Sequence, residues 1–302
     1  MKKLFIVFIL GLSPVWAGAK NGLYIDDFVF QKQLIIDNKN TCQAFFIHKN
    51  WLATSAHCVE SCIESACRVK VLLAQGEINA SAELSARDVF IPKEYRTVDK
   101  DQRVRTHKVW DMALLHYQPQ EFLYEFAEGG NATRAEFEQA LQKDRKLRVQ
   151  WKGAMRPQIP VLHTYNGPEL MTLNENLIVP RWNWGELEMF SNPKTVLYFG
   201  ERASLWAADG FGVDHGNSGG AVTLADGGVV GVATAKMNNN LPSDVRRAFP
   251  TFGKADDFFL FTGFAPKTTL KFIQNTMLKF GDRPRTQKLR KVVPTIEPQA
   301  GL

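Results

Sequence analysis

Apolar residues fall in short blocks along most of the chain, and Gly, Pro and Asn punctuate the blocks. Blocks at 28–36 and 43–47 predict strands, with His48, Lys49 and Asn50 as a hairpin turn and a returning strand at 51–54. An apolar stretch at 69–73 leads to the polar turn Gln75-Gly76-Glu77, and another at 88–91 stops at Pro92. The charged segment 99–108 predicts a surface loop, and 109–117 is apolar again but for the charge of Asp111. Further strands are predicted at 147–151, 161–165, 170–173, 195–199 and 228–235. Two segments have a helical period instead. Phe137, Ala140 and Leu141 mark a helix within 131–148, capped by Asn131 or Thr133, which reads as a connection between two subdomains. Leu270, Ile273, Met277 and Phe280 mark an amphipathic helix over 268–280. Many short strands with few helices predict an all-β architecture of barrels or a sandwich.

The 302 residues and 45% hydrophobic composition suffice for one large all-β domain or two modest ones. A formal net charge of +6, with no basic stripe interleaved with aromatics in the body of the chain, does not predict a nucleic-acid partner. Lys2 and Lys3, the apolar run 4–12 and the small residues Ala17, Gly18 and Ala19 have the pattern of a signal peptide over 1–19, cleaved after Ala17 or Ala19. The run is short for a bilayer span, so a secreted or periplasmic protein without stable membrane insertion is expected. In an oxidising compartment, cysteines pair. The four cysteines allow three pairings, of which Cys42–Cys58 with Cys62–Cys67 is preferred: the first ties two neighbouring strands and the second closes a small loop. No Cys and His spacing makes a convincing zinc site, and neither metal nor organic cofactor is expected. After Gly281, five basic residues to Lys291 and the prolines Pro284, Pro294 and Pro298 predict a flexible tail over 282–302.

Three stretches carry candidate chemistry. GVDHGNSGGAV at 212–222 sets a lone serine, Ser218, among small residues. LATSAHC at 52–58 ends a strand on His57, and VWDMALLHY at 109–117 puts Asp111 into an apolar run. A buried carboxylate needs hydrogen-bond donors, and an imidazole N–H is a good one. A serine needs a base to become a nucleophile, and the base needs a carboxylate to hold its tautomer. Gly216 lets its backbone N–H stand beside that of Ser218, facing one oxygen. His107, His116, Asp99 and Asp101 lack comparable settings.

With TSAHC, DMALL and GNSGGAV in that order, the chain resembles the trypsin-like (chymotrypsin-fold) serine proteases from about 28 to about 261. The resemblance implies an all-β fold of two six-stranded antiparallel β-barrels with a C-terminal helix. The first barrel would span about 28–120, the second about 147–265 and the helix about 268–280, in a protease domain over 20–281. It implies a triad of His57, Asp111 and Ser218, and an oxyanion hole from the backbone N–H groups of Gly216 and Ser218. The family's histidine-loop disulfide maps onto Cys42–Cys58, and Cys62–Cys67 is an addition. Gly212 falls on the floor of the specificity pocket, His215 on the substrate rim, and Thr234 and Lys236 on the substrate-pairing edge, with Val213 also among the substrate-binding residues. Asn217 stands where animal digestive members carry Asp, and no IVGG start follows the leader, so the chain looks more like bacterial secreted members. Ala233 stands where many glutamyl-specific relatives carry His. The implied activity is a monomeric secreted endopeptidase that hydrolyses peptide or protein substrates through an acyl-enzyme. The alternative is an inactive homologue that binds without cutting. A serine esterase fits less well, because its histidine follows the serine.

Overall fold

The computed structural model describes residues 29–288, except 39, 65–66, 99–103, 107–109, 119–120, 165–170, 174–176, 184–185, 193–194, 200–204, 210–215, 225, 238–257 and 266. The predicted leader, the tail beyond Lys288, and Gly212, Val213 and His215 lie outside the described residues.

The apolar blocks of the first half become strands. Gln31–Ile36 (β1) and Asn40–His48 (β2) pair antiparallel across a turn in which Asp37 and Asn38 adopt left-handed φ values of 50° and 57°. Short polar side chains tolerate that conformation best. Trp51–Thr54 (β3) returns along β2, and a short helix Ser61–Glu64 (α1) follows. Arg68–Ala74 (β4), Ile78–Ser85 (β5), Val89–Phe90 (β6), Ala113–His116 (β9) and Leu123–Phe126 (β10) complete an antiparallel sheet in the order β10-β5-β4-β1-β2-β3-β9-β6. Arg96–Val98 (β7) and Val104–Thr106 (β8) form a separate ribbon at the edges of the segment expected to be a loop.

Two helices follow, Arg134–Lys143 (α2) and Arg145–Met155 (α3). Thr133 and Glu136 form a capping box at the start of α2. Asp144 ends α2 and caps α3, accepting from Lys146 N and Leu147 N at 2.8 and 3.1 Å. The strand expected at 147–151 is therefore helix. The Asp144 cap and burial of Leu147, Gln150 and Ala154 at helical spacing outweigh the β-leaning Val149 and Trp151. Phe137, Ala140 and Leu147 pack on Ala74, Ile78 and Ala80 as a second small core. Gly153 touches Val29 so closely that a Cβ there would lie 2.6 Å from the valine Cβ.

The second sheet is built from Leu162–Thr164 (β11), Met171–Leu173 (β12), Leu177–Asn183 (β13), Glu186–Asn192 (β14), Thr195–Phe199 (β15), Leu205–Asp209 (β16), Ala221–Thr223 (β17), Val229–Met237 (β18) and Phe258–Gly263 (β19), with Thr286–Lys288 (β20). Its order is β12-β15-β16-β19-β18-β17-β13-β14, with β11 branching parallel from β18 and carrying β20.

The expectation of two closed six-stranded all-β barrels is not met. The first sheet has eight strands and the second ten, and neither closes: β10 and β6 end one and β12 and β14 the other, with no further strand joined to them among the described residues. The fold is mixed, with four α-helices among the described residues counting Thr269–Leu278 (α4). One cause lies at an edge: β6 is two residues long, too short to continue the ladder around. Another lies in the chain between the sheets, which winds into α2 and α3 and covers β4 and β5.

A continuous core joins the sheets, from Phe30, Leu34 and Trp51 to Ile178, Ala221 and Val232, and takes in Leu270, Ile273 and Met277 of α4. The start of the expected tail is ordered. Asp282 accepts from the Trp51 indole N–H at 2.9 Å, and β20 pairs with β11 over three residues. Phe280 stacks edge-on against Trp51.

Lys32 is the strained element of this core. It is 2% exposed, on β1 opposite Ala44, and its Nζ donates to the Leu73 carbonyl at 3.2 Å. Burial pushes its amine down from 10.5 to about 7. The unfolded chain binds that proton more tightly than the folded one, so stability from this group is full above about 10.5 and is lost as pH falls toward about 7. Lys32→Met should raise the thermal midpoint at pH 7, on the order of a few kcal/mol in stability. The advantage should shrink as pH rises toward 10; thermal melts across that range check it, and a pH-independent difference would contradict the burial argument.

Candidate active site

His57 lies in a single 3₁₀ turn, Ala56–Cys58, that terminates β3. A disulfide from Cys58 to Cys42 on β2 anchors this turn, with Cα atoms 6.3 Å apart. A second disulfide joins Cys62 and Cys67. Asp111 precedes β9, which pairs with β3 so that Thr54 stands opposite Ala113. Adjacent strands therefore deliver His57 and Asp111 to one corner. The Asp111 side chain has no exposed surface, whereas that of His57 is 28% exposed. Asp111 Oδ2 lies 2.9 Å from His57 Nδ1, and Oδ1 accepts from the His57 backbone N–H at 2.9 Å. The two contacts fix both ring and main chain, and they assign the proton to Nδ1, leaving Nε2 as the acceptor nitrogen.

Beside them lies Tyr95, which donates to Glu60 at 3.0 Å. Burial, then the carboxylates of Asp111 and Glu60, hold its phenol protonated well above the usual tyrosine range.

The Ser218 turn closes on the same corner. The Gln43 N–H, next to Cys42, donates to the Ser218 carbonyl at 2.8 Å. Gly219 N–H donates to the Ala233 carbonyl at 2.7 Å, and Ala233 N–H donates to Gly220 at 2.8 Å. The Ala233 carbonyl also accepts from Ser55 Oγ at 2.7 Å, which ties the segment leading to His57 to the serine turn through β18. Gly216 and Gly219 have left-handed φ of 93° and 83°. At Gly219 a Cβ would lie 2.2 Å from both the Gln43 carbonyl and Thr54 Oγ1, so only glycine fits. Arg181 of β13 reaches the turn from the other side, its Nη1 3.4 Å from Asn217 Oδ1.

The structure thus brings His57 and Asp111 into direct contact and seats the Ser218 backbone against β2. Among the described residues, no hydrogen bond joins the Ser218 hydroxyl to the His57 ring, whose Nε2 lies 3.8 Å from Cys58 Sγ. Thr234 sits at a bulge in β18, buried, with its hydroxyl on Val232 O and Thr262 Oγ1. Lys236 pairs in register with Phe259. His57 and the Cys42 and Cys58 sulfurs gather within 4.8 Å, but the sulfurs are bonded to one another and offer no thiolate to a metal. Sequence reasoning missed Gln43, Ser55, Tyr95 and Arg181. Their roles rest on partners distant in sequence, backbone atoms for Gln43 and Ser55 and the side chains of Glu60 and Asn217 for Tyr95 and Arg181, and only the polar positions in otherwise apolar strands hinted at Gln43.

The trypsin family model matches residues 23–139. No curated protein matches the chain. Among solved structures, a glutamyl endopeptidase in complex with MPD is 12% identical, with a TM-score of 0.42 and coverage of 82% of this chain and 90% of its own. Mouse neuropsin, a serine protease expressed in the limbic system of the brain, is 14% identical at TM-score 0.45, covering 84% and 97%. A mutant of human heparin binding protein is 13% identical at TM-score 0.45, covering 87% and 96%.

The tight fit at Gly219 has a measurable consequence. Gly219→Ala should lose about 3 kcal/mol or more, from backbone strain plus overpacking. Gly227, with φ 80° and nothing within 4 Å, is the control. Gly227→Ala should lose only about 1 kcal/mol. Equal thermal midpoints for the two variants would contradict the packing described. The match to the trypsin family model takes in His57 and Asp111 and ends before Ser218.

Proposed function

We propose that the protein is an exported serine endopeptidase, resembling bacterial secreted members of its fold, that hydrolyses peptide bonds through an acyl-enzyme. The observation that carries the reading is the doubly held His57, with Asp111 at 2.9 Å from both its Nδ1 and its backbone N. In this reading Nε2 takes the Ser218 proton as Oγ attacks the peptide carbonyl, and returns it to the leaving amine. The new C–O bond replaces the C–N bond. The backbone N–H groups of Gly216 and Ser218 receive the developing negative charge of the carbonyl oxygen. Water, deprotonated by the same imidazole, then releases the acid and regenerates the serine. Asp111 stays ionised throughout and stabilises the imidazolium. Contacts of this kind are often long in a substrate-free site and tighten on binding. The lack of a Ser218–His57 hydrogen bond is also what a binding module would show, and it is the observation that favours that second reading.

Cleavage of an unstructured protein by purified wild type and Ser218→Ala, with circular dichroism on both, separates the readings. Ser218→Ala is expected to keep the fold and lose hydrolysis. Asp111→Asn is expected to lose on the order of 10⁴-fold in turnover by favouring the wrong tautomer. The double variant should lose no more than the worse single one, since the three groups act as one unit. Equal cleavage by wild type and Ser218→Ala would remove Ser218 from the mechanism. A processed wild type inert across a broad peptide library would move weight to the binding module.

A further inference from the structure

Within the second sheet, the ladder between two neighbouring strands is interrupted just behind the serine turn. Strands β13 and β17 pair at Ile178 and Thr223. The antiparallel register places Pro180 opposite Ala221 at the next rung, but there the ladder stops. Pro180 has no N–H to give, and the rung needs Ala221 N–H on Pro180 O. Instead, the side chain of Gln31 from β1 of the first sheet fills the gap. Its Oε1 accepts from Ala221 N–H at 3.0 Å, and its Nε2 donates to the Pro180 carbonyl. The same Nε2 lies 3.4 Å from Gln43 Oε1, and Gln43 N–H holds the Ser218 carbonyl. Gln31 is 0% exposed, and a Cβ on Gly220 would come within 2.9 Å of its Nε2.

We infer that Gln31 is a positioning residue for Ser218: its buried amide stands in for a missing rung between β13 and β17 and so sets where the serine turn sits relative to His57. The inference rests on the proposed role of Ser218. An amide is the group that meets the demand, because it offers a donor and an acceptor in one plane, as the absent peptide would. Ala221 is three residues from Ser218, and the intervening glycines transmit any shift of it. Without the amide, Ala221 N–H and Pro180 O either stay buried without partners or zip together by one further rung. Closing that rung would draw the turn toward β13 and away from His57 and Asp111. A misplacement of about 1 Å in a nucleophile is enough to cost orders of magnitude in rate.

The test compares Gln31→Met, similar in shape but without hydrogen bonds, with Gln31→Glu, which regains one donor and one acceptor when protonated. Two quantities are read per folded molecule: the rate of labelling by a fluorophosphonate probe, and deuterium exchange in peptides covering 216–223. Gln31→Met is expected to label about tenfold more slowly or worse and to exchange faster over 216–223. Gln31→Glu should stay closer to wild type at low pH and fall relative to it as pH rises, because ionisation removes the donor toward Pro180 O. That ratio should not change with pH in Gln31→Met. Should Gln31→Met not fold, the pH trend of Gln31→Glu decides alone. Unchanged labelling in Gln31→Met would overturn the inference, even with a lowered melting point or faster exchange. A wild type that takes no label would instead defeat the reading of Ser218, while the exchange arm still decides whether Gln31 holds the turn.

Discussion

The carboxylate of Asp111 has no exposed surface, and the corner around it is built to make that burial tolerable. An ionised group in such a place is costly unless donors meet its oxygens. His57 supplies two, one from its ring and one from its main chain. That demand dictates much of what surrounds it. Strands β3 and β9 must be neighbours in the register that sets Thr54 opposite Ala113. The chain must turn sharply after Thr54, and the Cys42–Cys58 bond pins that turn to β2.

The second sheet meets this corner along a polar seam rather than an apolar one. Ser55 Oγ donates to the Ala233 carbonyl of β18 and Gln43 N–H to the Ser218 carbonyl, while Thr54 Oγ1 holds the Gln43 carbonyl on the first-sheet side. Hydrogen bonds are directional, so this seam fixes position where apolar packing alone would allow sliding. It also explains how two unclosed sheets hold a common geometry. The shared apolar core supplies cohesion, and the seam supplies the register.

Local patterns made much of this legible in the sequence. TSAHC and the charge of Asp111 inside an apolar run pointed to a paired base and carboxylate, because a buried charge demands a donor wherever the chain goes. The helical spacing of Leu270, Ile273 and Met277 matches the buried face of α4. The sheets were misjudged because closure depends on how long the edge strands run, and β6 stops after two residues. The stretch 147–151 was misread because Val149 and Trp151 favour strands, while the deciding residue, Asp144, lies outside that window and caps α3. Gln31 drew no notice because its importance comes from Pro180 and Ala221, distant in sequence and silent without the register that makes them neighbours.

The central claim is that His57, held by Asp111, activates Ser218. Its most direct measure is the site of a fluorophosphonate adduct, mapped by peptide mass spectrometry on wild type and on folded His57→Ala. The account predicts a single adduct on Ser218 in the wild type and none in His57→Ala. An adduct on another residue, or labelling of Ser218 that survives the loss of His57 undiminished, would contradict it.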